Sequence, residues 1–312
     1  MRDALRHVAL VLCALLAAYV LIAGGYLLTV LGIAAIYTVL VSGLNLFMGF
    51  AGQVSFGQNA FAAIGGYTSA ILTTAYGWDP VLAMLAGAAL AMGIAAITGW
   101  PVLRLSGHAL AMATLSLGLI VYELAVQWHD LTQGYTGISG IPPLGVAGYQ
   151  VTGDRTAVLV LLGFAAVSLW IAYRLRWSRF GRALHAVGGS PEAARALGID
   201  VARYKLASFV IAAAHASVAG SLFAAYVGFI SPEIFGMSMV IQAFTMLYVG
   251  GIGTIAGPFV GALVIGMLPE LVRGFAAYQD LLYGVLLIVI LIFSPKGLAG
   301  FDQWFRRRAA AR

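Results

Sequence analysis

Residues 27–48 read LLTVLGIAAIYTVLVSGLNLFM, an apolar run without a charge and long enough, at about 20 residues, to cross a hydrocarbon core as a helix. Working outward, runs of the same kind recur near 8–23, 58–76, 80–100, 109–128, 156–174, 205–229, 236–250, 256–273 and 279–294, separated by short Gly, Pro or charged breaks. Of the 312 residues 62% are hydrophobic and 9% charged, against roughly 45–50% and about 25% in soluble domains. A water-soluble fold cannot hide that much apolar surface. The runs are apolar on all faces, whereas the strands of a membrane barrel alternate apolar and polar over about 10 residues. The expected fold is all-α and integral to the membrane. It is a polytopic transmembrane helical bundle of about eight to ten spans with glycine-rich, re-entrant segments, forming one domain over 1–312.

The lone cysteine, Cys13, lies inside an apolar run and offers neither an internal disulfide nor a thiolate metal site. Arg2 and Arg6 precede an apolar stretch as in a signal peptide, but no small-residue cleavage site leads into a soluble domain, so this stretch reads as an uncleaved first span. With the N-terminus placed in the cytoplasm, the C-terminus falls inside too, and only Arg155 and Arg273 of the 17 basic residues fall outside. That distribution obeys the positive-inside rule. Asp79, Asp130, Asp154, Glu233, Glu270 and Asp280 fall on the outer side.

Three stretches depart from plain apolar helix. Gly49 to Asn59 (GFAGQVSFGQN) is glycine-rich, polar and uncharged. Backbone that is irregular at membrane depth must be buried in protein or line a water-filled cavity, so this stretch reads either as a substrate-path element or as a short interfacial loop with close glycine packing. Its glycine density is matched by Gly250 to Ala262, and the two are candidates for corresponding elements of an internal repeat. The external loop 129–155, dense in Gly and Pro, is expected to form ordered turns.

The third stretch, 175–204, belongs to a basic run in which Arg174, Arg176, Arg179, Arg182, Arg195, Arg203 and Lys205 face only Glu192 and Asp200, which places it in the cytoplasm. Within it Ser190 suits an N-cap, Pro191 the first helical position, Glu192 the positive end of the dipole and Gly198 the stop. A helix of about two turns is not stable by propensity alone. It therefore docks on a partner protein or lies on anionic lipid.

Polar groups inside a membrane are costly and so are functional candidates. They are Asn45, Gln53, Ser55, Gln58, Asn59, Thr114 and Gln242 for a substrate path, with Glu123 and His215 as further intramembrane groups. Glu123 is expected to reach the interface, and His215 to make an interhelical contact. The five histidines show no metal-ligand spacing and no catalytic acid pair or Ser/His arrangement stands out, so neither catalytic nor metal residues are expected.

Glu192-Ala193-Ala194 followed by Gly198 resembles the start of the EAA motif of bacterial import permeases, although the downstream Ile-x-Leu-Pro portion is absent. Gly43-Leu-Asn45 through Gly52-Gln53-x-Ser55-x-Gly57 resembles permeases of the Liv type. So do Ala111-Met-Ala-Thr114, Leu131-Thr-x-Gly134 through Ile141-Pro142, and Gly250-Gly251-x-Gly253 through Gly257-Pro258. The likeness is nearer to the M subunit of branched-chain amino acid importers, whose ending Pro295-Lys296-Gly297-Leu298 resembles, and it covers residues 40–300.

The resemblance implies a non-catalytic permease subunit of an ATP-binding-cassette importer in the bacterial inner membrane. It implies a second, H-type permease, two ATPase subunits and a periplasmic binding protein as partners. Ser190, Pro191, Glu192, Ala193, Ala194 and Gly198 would then couple to the ATPase. This chain has no phosphate-binding Gly-x-x-x-x-Gly-Lys-Ser/Thr loop, so ATP and magnesium would sit on the partner subunits, with no cofactor here. Branched-chain or other hydrophobic amino acids are the expected solutes. Urea, short amides or small carboxylates in a permease of the same family are the alternative, and a secondary transporter is a further one. Lipid is an expected partner and nucleic acid is not.

Overall fold

The computed structural model describes residues 26–146, 149–151 and 153–271, with residues 281, 284, 285 and 288 beyond them. Helix α1 (Tyr26–Asn45) runs directly into a π-helical turn, Leu46–Phe50, and an irregular stretch, 51–57, follows. Then come α2 (Gln58–Thr74), α3 (Pro80–Val102), α4 (Gly107–Gln127) and the short α5 (His129–Thr132). The chain continues as α6 (Asp154–Trp177), α7 (Arg179–Gly189), α8 (Pro191–Ala196) and α9 (Val201–Val227). It closes with α10 (Met237–Gly250) and α11 (Gly257–Leu271).

Each apolar run expected from 27–48 through 256–273 coincides with a helix. Among the described residues six helical stretches are long and apolar enough to cross a membrane: Leu27–Phe50, Pro80–Val102, Gly107–Gln127, Asp154–Trp177, Val201–Val227 and Pro232–Gly250. Helix α2 has 17 residues and at 1.5 Å per residue falls short of a ~30 Å core; α11 is described over 15 residues. The expected span 8–23, Cys13, Arg273, Asp280, the 295–298 ending and both termini lie outside the described residues, as does most of 279–294.

The turns gather at two poles. At one, Asn45 and Arg176 both bond the 251–256 turn, and Gly52 lies against Gly188. At the other, Ile138–Ser139 (β1) pairs antiparallel with Phe229–Ile230 (β4), and Ile141 N–H donates to the Gly228 carbonyl at 3.2 Å. Between these in sequence, Gly145–Val146 (β2) and Tyr149–Gln150 (β3) form a small hairpin, so the 129–155 stretch is built of short turns and strands.

Lipid is as apolar as leucine, so helices in it associate through close packing and hydrogen bonds rather than through hydrophobic exclusion. Helix α9 shows how this is achieved. Gly220 meets the carbonyl of Ala62, Gly65 meets Ser217, and Ser221 Oγ donates to the Gly65 carbonyl at 3.0 Å. The α10–α11 pair closes in the same way, with Gly250 against Gly257 and Gly261 against the Met246 carbonyl. Outward-facing apolar side chains concentrate on α3 and α4, including Leu82, Ile97, Met112 and Ile120, and there is no need to bury them in a membrane.

Caps set the helix starts. Asp79 accepts from Val81 N–H ahead of Pro80, Ser178 from Gly181 N–H, Ser190 from Ala193 N–H and Asp200 from Arg203 N–H. Helix α7 is not legible in the sequence, because Gly181, Gly188 and Gly189 argue against it. It forms because Gly181, Leu184 and Val187 pack inward, Leu184 into an apolar cluster with Phe50 and Ala51.

Because Gly220 touches backbone rather than a flexible side chain, Gly220→Val is expected to cost about 3 kcal/mol or more, at the upper end of overpacking. Thermal unfolding of the detergent-solubilised chain checks this. A melting temperature within 2 °C of wild type would remove the α2–α9 contact from its central place, since ~3 kcal/mol shifts a protein this size by about 5 °C or more.

Candidate translocation site

The irregular stretch after α1 is where the candidate residues converge, and the structure divides them into those that hold the backbone and those that remain unsatisfied. Asn45, buried at the end of α1, uses both amide atoms on the 251–256 turn. Its Nδ2 donates to the Thr254 carbonyl at 2.7 Å and its Oδ1 accepts from Gly253 N–H at 2.7 Å. Arg176 Nη1 donates to the Gly253 carbonyl at 2.6 Å while its guanidinium lies 5.5 Å from the Phe50 ring centre. The two glycine-rich stretches are thus tied to each other and to the end of α6. Gly253 has φ +75°, a conformation that favours glycine.

Beyond that tie the chain turns back into the bundle. Phe56 N–H donates to Thr114 Oγ1 at 3.1 Å, and Thr114 Oγ1 donates in turn to the Leu110 carbonyl at 3.0 Å. A Cβ on Gly57 would come within 2.7 Å of the Thr114 carbonyl. Asn59 sits against Gly118, midway along α4, where a Cβ would come within 2.6 Å of its Oδ1. Helix α2 therefore begins near the middle of the span, and no side chain caps its N-terminus. Broken helices of this kind present backbone N–H groups and the positive end of a helix dipole to the interior.

At that start the polar accounting does not close. Asn59 Nδ2 donates to the Phe235 carbonyl at 2.9 Å, but Asn59 Oδ1 and both amide atoms of Gln58 are buried without a hydrogen-bond partner among the described residues. Both residues line a cavity of about 10 Å3 with Ser55, Phe56, Leu40, Leu44, Met239, Val240, Ala243 and Phe244. Phe56 and Phe244 stack across it at 4.3 Å. The volume is that of about one water molecule. Asn59 also lines a larger surface pocket of about 340 Å3 with Tyr122, Glu233 and Ser238.

The remaining candidates have other tasks. Gln53 is half-buried, with Nε2 donating to the Ala51 carbonyl at 3.1 Å. Ser55 Oγ accepts from Gly57 N–H at 3.4 Å. Gln242 accepts from the Tyr37 hydroxyl at 2.9 Å, joining α10 to α1. Glu123 is exposed and accepts from Gln127 at 3.3 Å. His215 packs on Gly43 but turns Nδ1 to the Ile211 carbonyl of its own helix, 2.8 Å away. It thus makes no interhelical hydrogen bond among the described residues, because its ring bonds the preceding turn instead.

The expected capped helix is present as α8. Ser190 Oγ accepts from Ala193 N–H at 3.2 Å, Pro191 opens the helix, and Gly198 follows it with φ +79°. Ala194 points inward on to Val187 and Val201. Glu192 and Ala193 point outward, and Leu197 is 80% exposed. Helix α7 carries this element on to the break, with Gly188 against Gly52 and the His185 ring tilted against Phe50 at 5.0 Å. Partial burial, and then the Arg176 charge, hold the His185 pKa below its usual value. Among the described residues no group of His, Cys, Asp or Glu is arranged to hold a metal ion.

Residues 26–291 match the family described as branched-chain amino acid transport system, permease component. The high-affinity branched-chain amino acid transport system permease protein LivM of Escherichia coli K12 is 34% identical, over 84% of this chain and 67% of its own length. LivH of the same strain is 29% identical, over 85% of this chain and 91% of its own. Among solved structures, a chain of PsaBC from Streptococcus pneumoniae in complex with Fab covers 92% of this chain and 99% of its own. Its identity is 16% and its TM-score 0.46.

The contrast between paired and unpaired amides predicts opposite effects on stability. Asn45→Leu orphans Gly253 N–H and the Thr254 carbonyl and is expected to destabilise by about 2–4 kcal/mol. Gln58→Leu removes two unpaired buried atoms and is expected to stabilise by up to about 1–3 kcal/mol. Denaturation of the two variants in one detergent compares them, and the same sign for both would contradict this division of roles.

Proposed function

The chain belongs to the family of branched-chain amino acid transport permease components, and from that membership we propose that it lines an inner-membrane path for branched-chain or other hydrophobic amino acids, driven by separate ATPase subunits. The observation that carries the solute reading is the cluster of unpaired amide atoms of Gln58 and Asn59 at the mid-membrane start of α2. Gln58 Nε2 and the uncapped N–H groups of α2 suit the carboxylate of a zwitterion. Gln58 Oε1 and Asn59 Oδ1 suit its ammonium. Phe56, Phe244, Leu40, Leu44, Met239 and Val240 suit an apolar side chain. A neutral set of this kind can bind a zwitterion without trapping it, since no fixed charge must be desolvated anew in each cycle.

The cytoplasmic pole in this reading is the one with the 178–200 turn. It carries Arg104, Arg174, Arg176, Arg179, Arg182, Arg195, Arg203 and Lys205, whereas Arg155 lies at the other pole with Asp79, Asp130, Asp154 and Glu233, a bias of basic residues that follows the positive-inside rule. Both termini are cytoplasmic on the same reading. Helix α8 presents Glu192, Ala193 and Leu197 outward to an ATPase, and α7 links it through Gly188 to Gly52, at the start of the break that leads to Gln58. Movement of α8 would therefore shift the segment that closes the path. A second permease of the LivH type, a pair of ATPases binding ATP and magnesium, and a periplasmic binding protein complete the proposed assembly.

Leu197→Asp and Glu192→Lys change exposed side chains. Each is expected to leave membrane insertion intact while lowering solute uptake at least about tenfold and loosening the coupling of ATP hydrolysis to transport. Gln58→Leu is expected to lower uptake without impairing ATPase assembly. The test is uptake of radiolabelled leucine, with urea and acetamide as competitors, alongside ATPase activity in proteoliposomes. Undiminished leucine uptake in all three variants would refute the proposal, and competition by urea or acetamide would move the solute class to short amides.

A further inference from the structure

A large cleft lies apart from the proposed translocation site. It holds about 620 Å3 at the basic pole, between the end of α3 and the segment that runs from α8 into α9. Its polar lining is Arg104, Ser106, Arg195, Asp200 and Lys205. Asp200 is already engaged, with its carboxylate 3.0 Å from Arg203 Nε and accepting from Arg203 N–H at 3.1 Å. Lys205 is only 8% exposed, and its ammonium has no carboxylate or hydrogen-bond partner among the described residues. Ser106, at the start of α4, caps nothing with its hydroxyl. Three cations and a free hydroxyl thus converge on a space in which the only acid is neutralised from outside.

The remaining walls are apolar. Leu103, Leu105, Leu206 and Trp100 line the cleft, and Arg104 lies over the Trp100 ring at 5.8 Å. Trp100 is 61% exposed, and one turn deeper on α3 Ile97 is 76% exposed on the membrane-facing surface. Trp177, exposed at the end of α6 on the same pole, is a second indole there, and indole rings mark the boundary between hydrocarbon and headgroups. A ligand for this site needs an anionic head at the boundary and an apolar body continuing along α3. Free phosphate or an acidic protein side chain supplies the first feature and not the second.

We propose that this cleft holds the phosphate headgroup of an anionic phospholipid, with an acyl chain lying along Trp100 and Ile97. Pro191, Arg195 and Ile199 line the same cleft, so a bound lipid braces α8 against the ends of α3 and α9. The site is separate from Gln58 and Asn59 and stands whether or not α8 docks on an ATPase.

The experiment is native mass spectrometry of the full chain, alone and in its assembled complex, released from micelles doped with phosphatidylglycerol or with phosphatidylcholine. Phosphatidylglycerol is expected to be retained in preference to phosphatidylcholine. Each of Arg104→Ala, Arg195→Ala and Lys205→Met is expected to weaken retention about fivefold, as for removal of one basic residue at an anionic surface. Arg104→Ala and Arg195→Ala alter exposed side chains, so they report on binding even if Lys205→Met misfolds. Arg179→Ala, which removes a charge outside the cleft, is expected to change nothing. Equal retention by wild type and the Arg104→Ala/Arg195→Ala double variant overturns the proposal, as does equal retention of phosphatidylcholine. Displacement by millimolar inorganic phosphate would show a free-phosphate site instead. Loss of lipid on assembly, with crosslinks from the cleft to another subunit, would assign it to a protein partner.

Discussion

Every backbone N–H and carbonyl that leaves a helix inside a membrane needs a partner from the protein itself, because hydrocarbon supplies none. Asn45 meets that requirement for the break between α10 and α11. Its side-chain amide answers one donor and one acceptor of the 251–256 turn, more than 200 residues away in sequence. The rest of the basic pole depends on that pairing. With the turn held, Arg176 bonds its remaining carbonyl, Phe50 lies beneath the guanidinium, and α7 packs on Phe50. The chain can then re-enter the bundle through 51–57 and start α2 at mid-depth.

The polar residues divide by what they satisfy. Asn45, Thr114 and Gln242 discharge backbone or interhelical hydrogen bonds and fix where segments lie. Gln58 and part of Asn59 discharge none within the described residues. An unpaired buried amide costs the fold free energy, and such a cost persists in natural proteins mainly where function uses the group. A small cavity next to these atoms, stacked rings across it and an uncapped helix start lie together at mid-depth; on the proposed function, substrate passes there only when the surrounding helices shift. Helices α2 and α9 are in backbone contact through Ala62 and Gly220, so they would move as one body. The contact of Gly52 with Gly188 is narrower and joins that body to α7.

The basic pole therefore has two neighbouring surfaces. Helix α8 offers a small outward face whose fold is secured by its cap and by Ala194. Beside it lies the cleft lined by Arg104, Arg195 and Lys205, proposed to hold a lipid headgroup. Both depend on the same short connection from Ser190 to Asp200, which has no long helix of its own and is held by Val187, Val201 and Tyr204. Protein contact on one side and lipid on the other are compatible because the outward face and the cleft are different sides of that connection.

Much was legible in the sequence because it depends on composition and local chemistry. A chain so apolar has to span a membrane, and the runs from 27–48 to 256–273 mark helices because water would not tolerate them. Ser190, Pro191 and Gly198 locate α8 because capping involves only near neighbours. The sequence also marked the polar residues as costly, but it could not divide them. Whether Asn45 binds solute or backbone depends on what lies opposite, and Gly253 and Thr254 come to lie there only through folding. Helix α7 escaped notice because its glycines are poor helix formers and its stability comes from packing on Phe50 and Ala51. The cleft beside α8 is a product of helix placement alone, joining Arg104 to Arg195 and Lys205 across the ends of separate spans. Local physics determined which segments are helical and which are capped; the tertiary structure decided which polar atoms are paired, because a hydrogen-bond partner is a matter of position in space.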